Sequence, residues 1–428
     1  MPKVDRKFRK LSVANRLKAL HSAGLFDDAD LAAWREGVHE LRLEQAERMV
    51  ENVVGRFCLP QGLAVNFPLN GRYYQVPMVV EEPSVIAALS FAALLADKAG
   101  GFRAQASEPR ISGQVQLLGI PDMDAATRAI RDNDAAILAA ANASMPRMVA
   151  RGGGAQALHF TQVRGQNSGE KMLVVDISIN TCDAMGANQV NSVCEAIAPM
   201  LEQLTGGWAL LKILSNLADE AIATAEVTLT CAVLASADIS GEAMRDRIVI
   251  ANDLALADPK RAATHNKGIM NGIDAVALAT GNDWRSIEAA AHAYAAREGQ
   301  YRALTDWRVG PEGLLQGRIR LPLKVGTVGG SLLGNPAVAP NLKLLGLTSA
   351  TELAALLAAV GLAQNFAALR ALCSVGIQQG HMRMHARSVA LAAKVPDALF
   401  ERVVNQMVAD NDIKVTRAQE LMRVLAEV

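Results

Sequence analysis

The sequence predicts an α+β fold: a large mixed helical and sheet domain, a smaller domain inserted into it, and a C-terminal helical domain. Three observations predict it. At 428 residues the chain is long enough for two or three domains with sizeable cores. Near residue 111 the pattern changes to strands and helices in the order β-α-β-β-α-β, that of a ferredoxin-like split βαβ unit, and near 218 it changes back. From Gly376 onward the patterns are helical throughout. The expected domains are therefore 1–110 together with 219–375, then 111–218, then 376–428.

Taken in order, residues 11–50 are helical in pattern, with Leu17, Leu20, Leu25, Leu31, Trp34, Val38, Leu41 and Leu43 set among many charges. Gly55, Pro60 and Gly62 then punctuate short apolar pieces. Asn70-Gly71 reads as a hairpin turn, followed by a strand through Val80 and a helix from Pro83-Ser84, with Glu81 and Glu82 at the junction. In the inserted unit, 113–120, 156–163, 171–180 and 208–214 read as strands. Residues 124–150 are Ala-rich and helical, and a second helix follows 183–191. Beyond 218 the sequence reads as helices and Gly-rich turns, including 324–336. The apolar run 353–372 is interrupted by Gln364, Asn365 and Arg370, which predicts a buried helix with a polar face rather than a membrane span. In the tail, Gly376 and Gly380 predict a hinge ahead of three helical stretches.

Composition narrows the function. Hydrophobic residues make up 51 % and charged residues 20 %, as in globular proteins and unlike disordered ones. Lys+Arg 43 balance Asp+Glu 43, which argues against a nucleic-acid partner. Cys58, Cys182, Cys194, Cys231 and Cys373 show no CxxC or Cys/His ligand spacing, so neither a disulfide scaffold nor structural zinc is expected, and a reducing cytoplasmic setting is. The basic start has no apolar segment of the signal-peptide kind.

The chemistry concentrates in 261–284. Arg261, Thr264, His265, Asn266, Lys267, Asn271, Asp274, Asn282 and Asp283 crowd around a small apolar insert, interspersed with Gly268, Gly272 and Gly281. The glycines point to tight turns and close backbone approach rather than a helix interior. A lysine among amides and an aspartate suits the polarising of a carbonyl; Lys267 and Asp283 also fit a structural ion pair. Glu81 and Glu82 on their own fit a solvated acidic pair, but Val79, Val80 and Ile86 around them also fit a partly buried acid, which can keep its proton near neutrality. No Walker loop and no G-x-G-x-x-G after a strand is present. Residues 183–191, at a strand-to-helix handover, offer N–H groups to an anion, or simply use Asp183 as a cap and Gly186 for packing. Residues 151–154 (RGGG) are open to the same two readings. His381 and His385 have i, i+4 spacing, but Met382 stands where a zinc protease carries its glutamate, so no metal is expected. A single functional histidine beside a glycine hinge is the alternative to a capping or surface one.

Together these pieces resemble the HMG-CoA reductases of class II, the soluble bacterial type. The resemblance is carried by ENVVG (51–55), VNFPLNGRYYQVPMVVEEPSVIAA (65–88), DAMGAN (183–188), LSNLAD (214–219), THNKGIMNGID (264–274), ATGNDW (279–284), VGLAQN (360–365) and GHM (380–382). It implies interconversion of (S)-HMG-CoA with (R)-mevalonate and CoA, through mevaldehyde and two hydride transfers with NAD(P)(H), in mevalonate synthesis or degradation. Lys267 would hold the developing oxyanion, Glu82 would protonate the mevaldehyde oxygen, Asp283 would join both in a hydrogen-bonded network, and His381 would protonate the CoA thiolate from a mobile flap. Ser84, Arg261, Thr264, Asn271, Gln364 and Ala368 match the HMG-CoA pocket; Asp183, Met185, Gly186, Asn188 and Asn216 match the nicotinamide-cofactor side. The resemblance also implies a homodimer or larger oligomer with active sites at the dimer interface. NADH-using relatives carry an aspartate just before the RGGG segment, where this chain has Met145, with Arg147 and Arg151 nearby to take a 2′-phosphate. Overall similarity nonetheless places NAD(H) slightly ahead of NADP(H). Two rivals compete: a CoA-dependent acyltransferase or lyase without a redox step, and a non-catalytic helical binding protein. The second is disfavoured because Glu82, Lys267, Asp283 and His381 are all present.

Overall fold

The computed structural model describes residues 2–329, 332–374 and 377–426. Its strands are β1 (Gln61–Leu69), β2 (Arg72–Val79), β3 (Arg103–Ala106), β4 (Arg110–Leu118), β5 (Gly154–Arg164), β6 (Lys171–Asn180), β7 (Trp208–Leu214), β8 (Ile222–Leu229), β9 (Thr305–Val309) and β10 (Leu315–Pro322). They form three antiparallel sheets among many helices, an α+β architecture.

Asn70 and Gly71, at φ 51° and 75°, close the β1–β2 hairpin with the two positive φ angles such a turn requires. Phe67, Val76 and Met78 of this hairpin pack with Leu89, Ala92 and Ala93 of the Val85–Asp97 helix in the main core. A second sheet has the order β3-β8-β10-β9, and its last three strands lie beyond 218, where helices and turns were expected. In β8 the alternation is built largely from small residues, with Ala223, Ala225 and Val227 buried and Glu226 and Thr228 outward, so the apolar signal of that strand is weak. Gly317 in β10 is there for the indole of Trp307, which a Cβ would meet at 2.3 Å.

The third sheet, β5-β6-β4-β7, places β4 between β6 and β7. The Met123–Asp132, Asp134–Ala143 and Ala187–Thr205 helices cover it, and their apolar faces form a core separate from the main one with Val115, Leu173, Val175 and Ile177. The element order through this region is strand, helices, two strands, helix, strand, as read from the sequence.

The largest correction concerns 261–284. Most of this stretch is one helix, Pro259–Ala279, despite Gly268 and Gly272. Asp258 caps it by accepting from the N–H groups of Lys260 and Arg261, Pro259 occupies the first turn, and Gly281 at φ +68° follows its end. Gly272 lets it lie against the Ala350–Cys373 helix, since a Cβ there would stand 3.0 Å from Val360 and 3.1 Å from Gln364. That partner is long and apolar enough to cross a membrane by composition, yet it is core of this protein, mostly buried. The polar face expected on it is also buried: Gln364 is 5 % and Asn365 2 % exposed.

The tail helices Ile377–Ala392, Asp397–Ala409 and Val415–Ala426 pack around their own cluster of Ala386, Ala390, Val403, Val404, Met407, Ala418 and Leu421. Of the two hinge glycines, Gly376 lies outside the described residues and Gly380 falls inside a helix, not at a break.

Candidate active site

On the Pro259–Ala279 helix, Arg261, Thr264, Lys267 and Asn271 recur at spacings of three, three and four, which puts them on one face. Thr264 and Lys267 are exposed, while His265, Asn266, Ile269, Met270 and Ile273 on the other side are buried. The buried side is fixed by a polar network as well as by packing. His265 Nε2 lies 2.6 Å from Thr305 Oγ1 and 2.9 Å from Asn365 Nδ2. Trp307 Nε1 donates to Asn365 Oδ1 at 2.8 Å, Thr305 donates to Asn252, and Asn266 exchanges bonds with Arg302 O and Leu304 N–H. Burial, and then the nearby Arg261, bring the His265 pKa down to about 4, so the imidazole is neutral at pH 7. Further along the same helix, burial and then the neighbouring Glu288 push the Asp274 carboxyl up to about 8.

The Lys267 ammonium donates to Glu82 Oε2 at 2.8 Å. Glu82 reaches it from the turn between β2 and the Val85–Asp97 helix. In that turn Ser84 holds φ +84°, a left-handed conformation rare for a non-glycine residue and often found where a side chain is aimed at a ligand. The Glu82 and Lys267 side chains are 41 % and 61 % exposed, so the pair lies open to solvent on this chain rather than in the apolar pocket suggested by the flanking valines.

The expected network of Asp283 with both partners is not formed. Asp283 caps the Trp284–Ala295 helix by accepting from Ser286 N–H at 3.2 Å, and Arg285 Nε stands 3.8 Å away. Its exposure, 46 %, leaves the carboxylate available. Gln364 is buried with its Oε1 unpartnered, and Ala368 lies partly buried one turn further along the same helix. His381 falls on the Ile377–Ala392 helix; its side chain lies outside the described residues.

The residues matched to the cofactor side largely converge. Ser286 Oγ donates to Asn216 Oδ1 at 3.0 Å, which links Asn216 through Ser286 to Asp283. Asp183 does not cap the helix that follows it; its Oδ1 instead accepts from Ala350 N–H at 2.8 Å, at the start of the Ala350–Cys373 helix. Gly186 is the cap residue of the Ala187–Thr205 helix, at φ +90°, and a Cβ there would strike Thr181 at 2.4 Å. Gly186 has no side chain to cap that helix start, which leaves the N–H groups of its first turn without a cap-residue bond and suited to an anion, and Asn188 stands exposed beside them. Met185 adjoins Gly326, whose Cβ would lie 2.6 Å from its N.

Met145 does not belong to this group. It is 2 % exposed in the core of the third sheet, where a thioether chain is well placed and a cofactor contact is not. Arg147 and Arg151, close to it in sequence, are exposed. One residue that the sequence reading passed over also touches the cofactor-side loop: Lys324, 4 % exposed, donates to Ala184 O at 2.8 Å. The signal was a lysine in the otherwise apolar end of a strand, LPLKVG.

Residues 12–386 match the hydroxymethylglutaryl-coenzyme A reductase family. A 3-hydroxy-3-methylglutaryl-coenzyme A reductase from Archaeoglobus fulgidus is 45 % identical over 97 % of this chain and 93 % of its own length. A probable one from Borreliella burgdorferi is 36 % identical over 80 % of this chain and 77 % of its own length. Among solved structures, the reductase from Streptococcus pneumoniae superposes with a TM-score of 0.83 at 42 % identity, covering 98 % of this chain and 99 % of that one. The class II enzyme from the same organism, described as bound to NADPH in open conformations, gives a TM-score of 0.83 at 44 % identity over 86 % and 99 % of the two chains.

Proposed function

As the chain belongs to the hydroxymethylglutaryl-coenzyme A reductase family, in its class II branch, we propose that Lys267 and Glu82 carry its reaction. HMG-CoA reductase activity, a nicotinamide-dependent oxidoreduction, follows from the membership. The observation that carries the residue assignment is the 2.8 Å contact between Lys267 and Glu82 on an open face also bearing Arg261, Thr264 and Asn271.

When bound, the dinucleotide supplies the hydride. The start of the Ala187–Thr205 helix, with Gly186, Asn188 and the loop holding Asp183 and Met185, fits its phosphates and amide, and Asn216, bonded to Ser286, stands on the Asp283 side. Lys267 stabilises the negative oxygen that forms when the thioester carbonyl is reduced; its charge is already fixed there, so no reorganisation is needed as the oxygen ionises. Glu82, in contact with that ammonium and 41 % exposed, relays a proton taken up from solvent to the mevaldehyde oxygen. Asp283 acts on the pair by its charge, and His381 protonates the departing thiolate from the tail.

Residues 111–218 are the dinucleotide-binding domain, of ferredoxin-like type, 1–110 with 219–375 form the substrate domain, and 376–428 form a flap. The assembly is a homodimer or larger with sites at the interface, and the protein is cytoplasmic. The dimer reading is supported by the extended segment after Met49, where Val54 and Phe57 are 102 % and 92 % exposed and await a cover. NADP(H) replaces NAD(H) as the preferred cofactor in this reading. Met145 is buried, Arg147 and Arg151 are exposed, and the Streptococcus pneumoniae relative is described with NADPH.

The test is to mix the protein with mevalonate, CoA and either NAD⁺ or NADP⁺. Appearance of reduced-nicotinamide absorbance that requires all three components is the expected result. No signal with either nucleotide favours a CoA-dependent acyltransferase or lyase.

A further inference from the structure

Lys324 is buried where the two halves of the site meet. It follows β10, and its ammonium donates to Ala184 O at 2.8 Å, with Val325 O at 3.5 Å. The same stretch grips the cofactor-side loop through its backbone. Thr327 and Val328 N–H both donate to Asp183 O, at 2.8 and 3.2 Å. Gly326 exchanges two bonds with Asn282, at 2.7 and 3.1 Å, so residues 324–328 connect the loop directly to the neighbour of Asp283. Backbone bonds thus tie the loop to this stretch at Asp183, and an apolar side chain at 324 would fill the space without the cost of burying a charge, though without the bond to Ala184. The ammonium brings two things an apolar residue lacks: a charge facing Asp183, and N–H donors beyond the one spent on Ala184.

We propose that Lys324 is a positioning residue for the dinucleotide, its ammonium holding the 182–186 loop in the shape that binds the cofactor. The proposal rests on the reading that this loop is the cofactor side. It has a consequence in pH. Burial brings the Lys324 pKa down from 10.5 to about 7, while Asp183 and then Cys182 push it back up. The other groups facing this place are Arg151, beside Cys182, and the Cys182 thiol, which burial and then Asp183 push up, so that it stays neutral as Lys324 titrates. If the charged lysine is the form that shapes the loop, cofactor binding takes up a proton and weakens as pH rises through neutrality.

The experiment measures Kd for NADPH and for NADH by nicotinamide fluorescence, on the full chain without substrate, from about pH 6 to about pH 9. Wild type should bind about tenfold more weakly at the alkaline end, the scale of one lost charge-assisted hydrogen bond. Lys324→Met should already bind about tenfold more weakly at the acid end, show a flat profile, and melt no lower than wild type, because a buried charge has been removed. In turnover, KM for the cofactor should rise with kcat nearly unchanged. A wild-type Kd that is flat with pH overturns the proposal without any variant. Asn188→Ala separates it from its premise. If Asn188→Ala weakens binding and Lys324→Met does not, the loop is the cofactor site and Lys324 merely fills space. If neither variant changes Kd, the loop is not the cofactor site and the proposal falls with that reading.

Discussion

Acid should loosen the anchor of the Pro259–Ala279 helix through a single histidine. His265 is 2 % exposed, and its Nδ1 is buried with no partner. Nε2, set against Thr305 and Asn365, is the only ring nitrogen in contact. Its pKa is about 4 in the folded protein against an ordinary 6.5. Between those values the unfolded chain binds the proton and the folded chain does not, so stability is lost as pH falls through the window from about 6.5 to about 4. Across the whole window the loss is on the order of 3 kcal/mol, of which about 2 kcal/mol falls between roughly pH 7 and roughly pH 5. Urea unfolding of wild type and His265→Gln at those two pH values isolates the term, because every other titrating group is common to both proteins. Wild type should lose about 2 kcal/mol more than the variant. Equal losses would refute the claim that His265 is held neutral by burial.

Two further substitutions separate packing from chemistry. Met145→Asp, which by sequence position would restore a carboxylate for NADH, should instead destabilise the protein by ~2 kcal/mol or more, since the residue is buried in an apolar core. A stable Met145→Asp protein with improved selectivity for NADH would reverse the placement of this residue. Gln364→Leu removes a buried carbonyl oxygen that has no partner among the described residues, so stability should hold or rise by about 1 kcal/mol while KM for HMG-CoA increases. Thermal melting and substrate kinetics check both halves; lower stability with unaltered KM would make Gln364 a core packer.

Much of the fold was legible where turns and periodicity carried the signal. The Asn70-Gly71 hairpin, the β-α-β-β-α-β stretch and the buried run at 353–372 all fall where the residues put them. In the second sheet, β8 buries Ala223 and Ala225, which alternate with polar residues too weakly to announce a strand, whereas β10, with Leu315, Ile319 and Leu321 buried between polar residues, carried the alternation and was passed over. Glycine misled at Gly268 and Gly272: the helix is set by Asp258-Pro259 at its start and by a buried apolar side, and Gly272 serves helix-to-helix approach rather than a turn. In the site, Glu82 and Lys267 are 185 residues apart in sequence, and only the family resemblance joined them before the structure did. Lys324 was missed for the opposite reason: a single charged residue in a strand end carries no motif, and only its burial reveals that something pays for it.

The central claim is that the Lys267 ammonium, held against Glu82, stabilises the oxyanion of the reduced thioester. Steady-state turnover of HMG-CoA by Lys267→Ala tests it most directly. Because Lys267 is 61 % exposed, its ion pair adds little to stability, and the variant should melt within a degree or two of wild type. Its kcat should fall on the order of 10²–10³-fold or more, the scale of a lost oxyanion donor. A folded Lys267→Ala protein that turns over HMG-CoA near the wild-type rate would contradict the account.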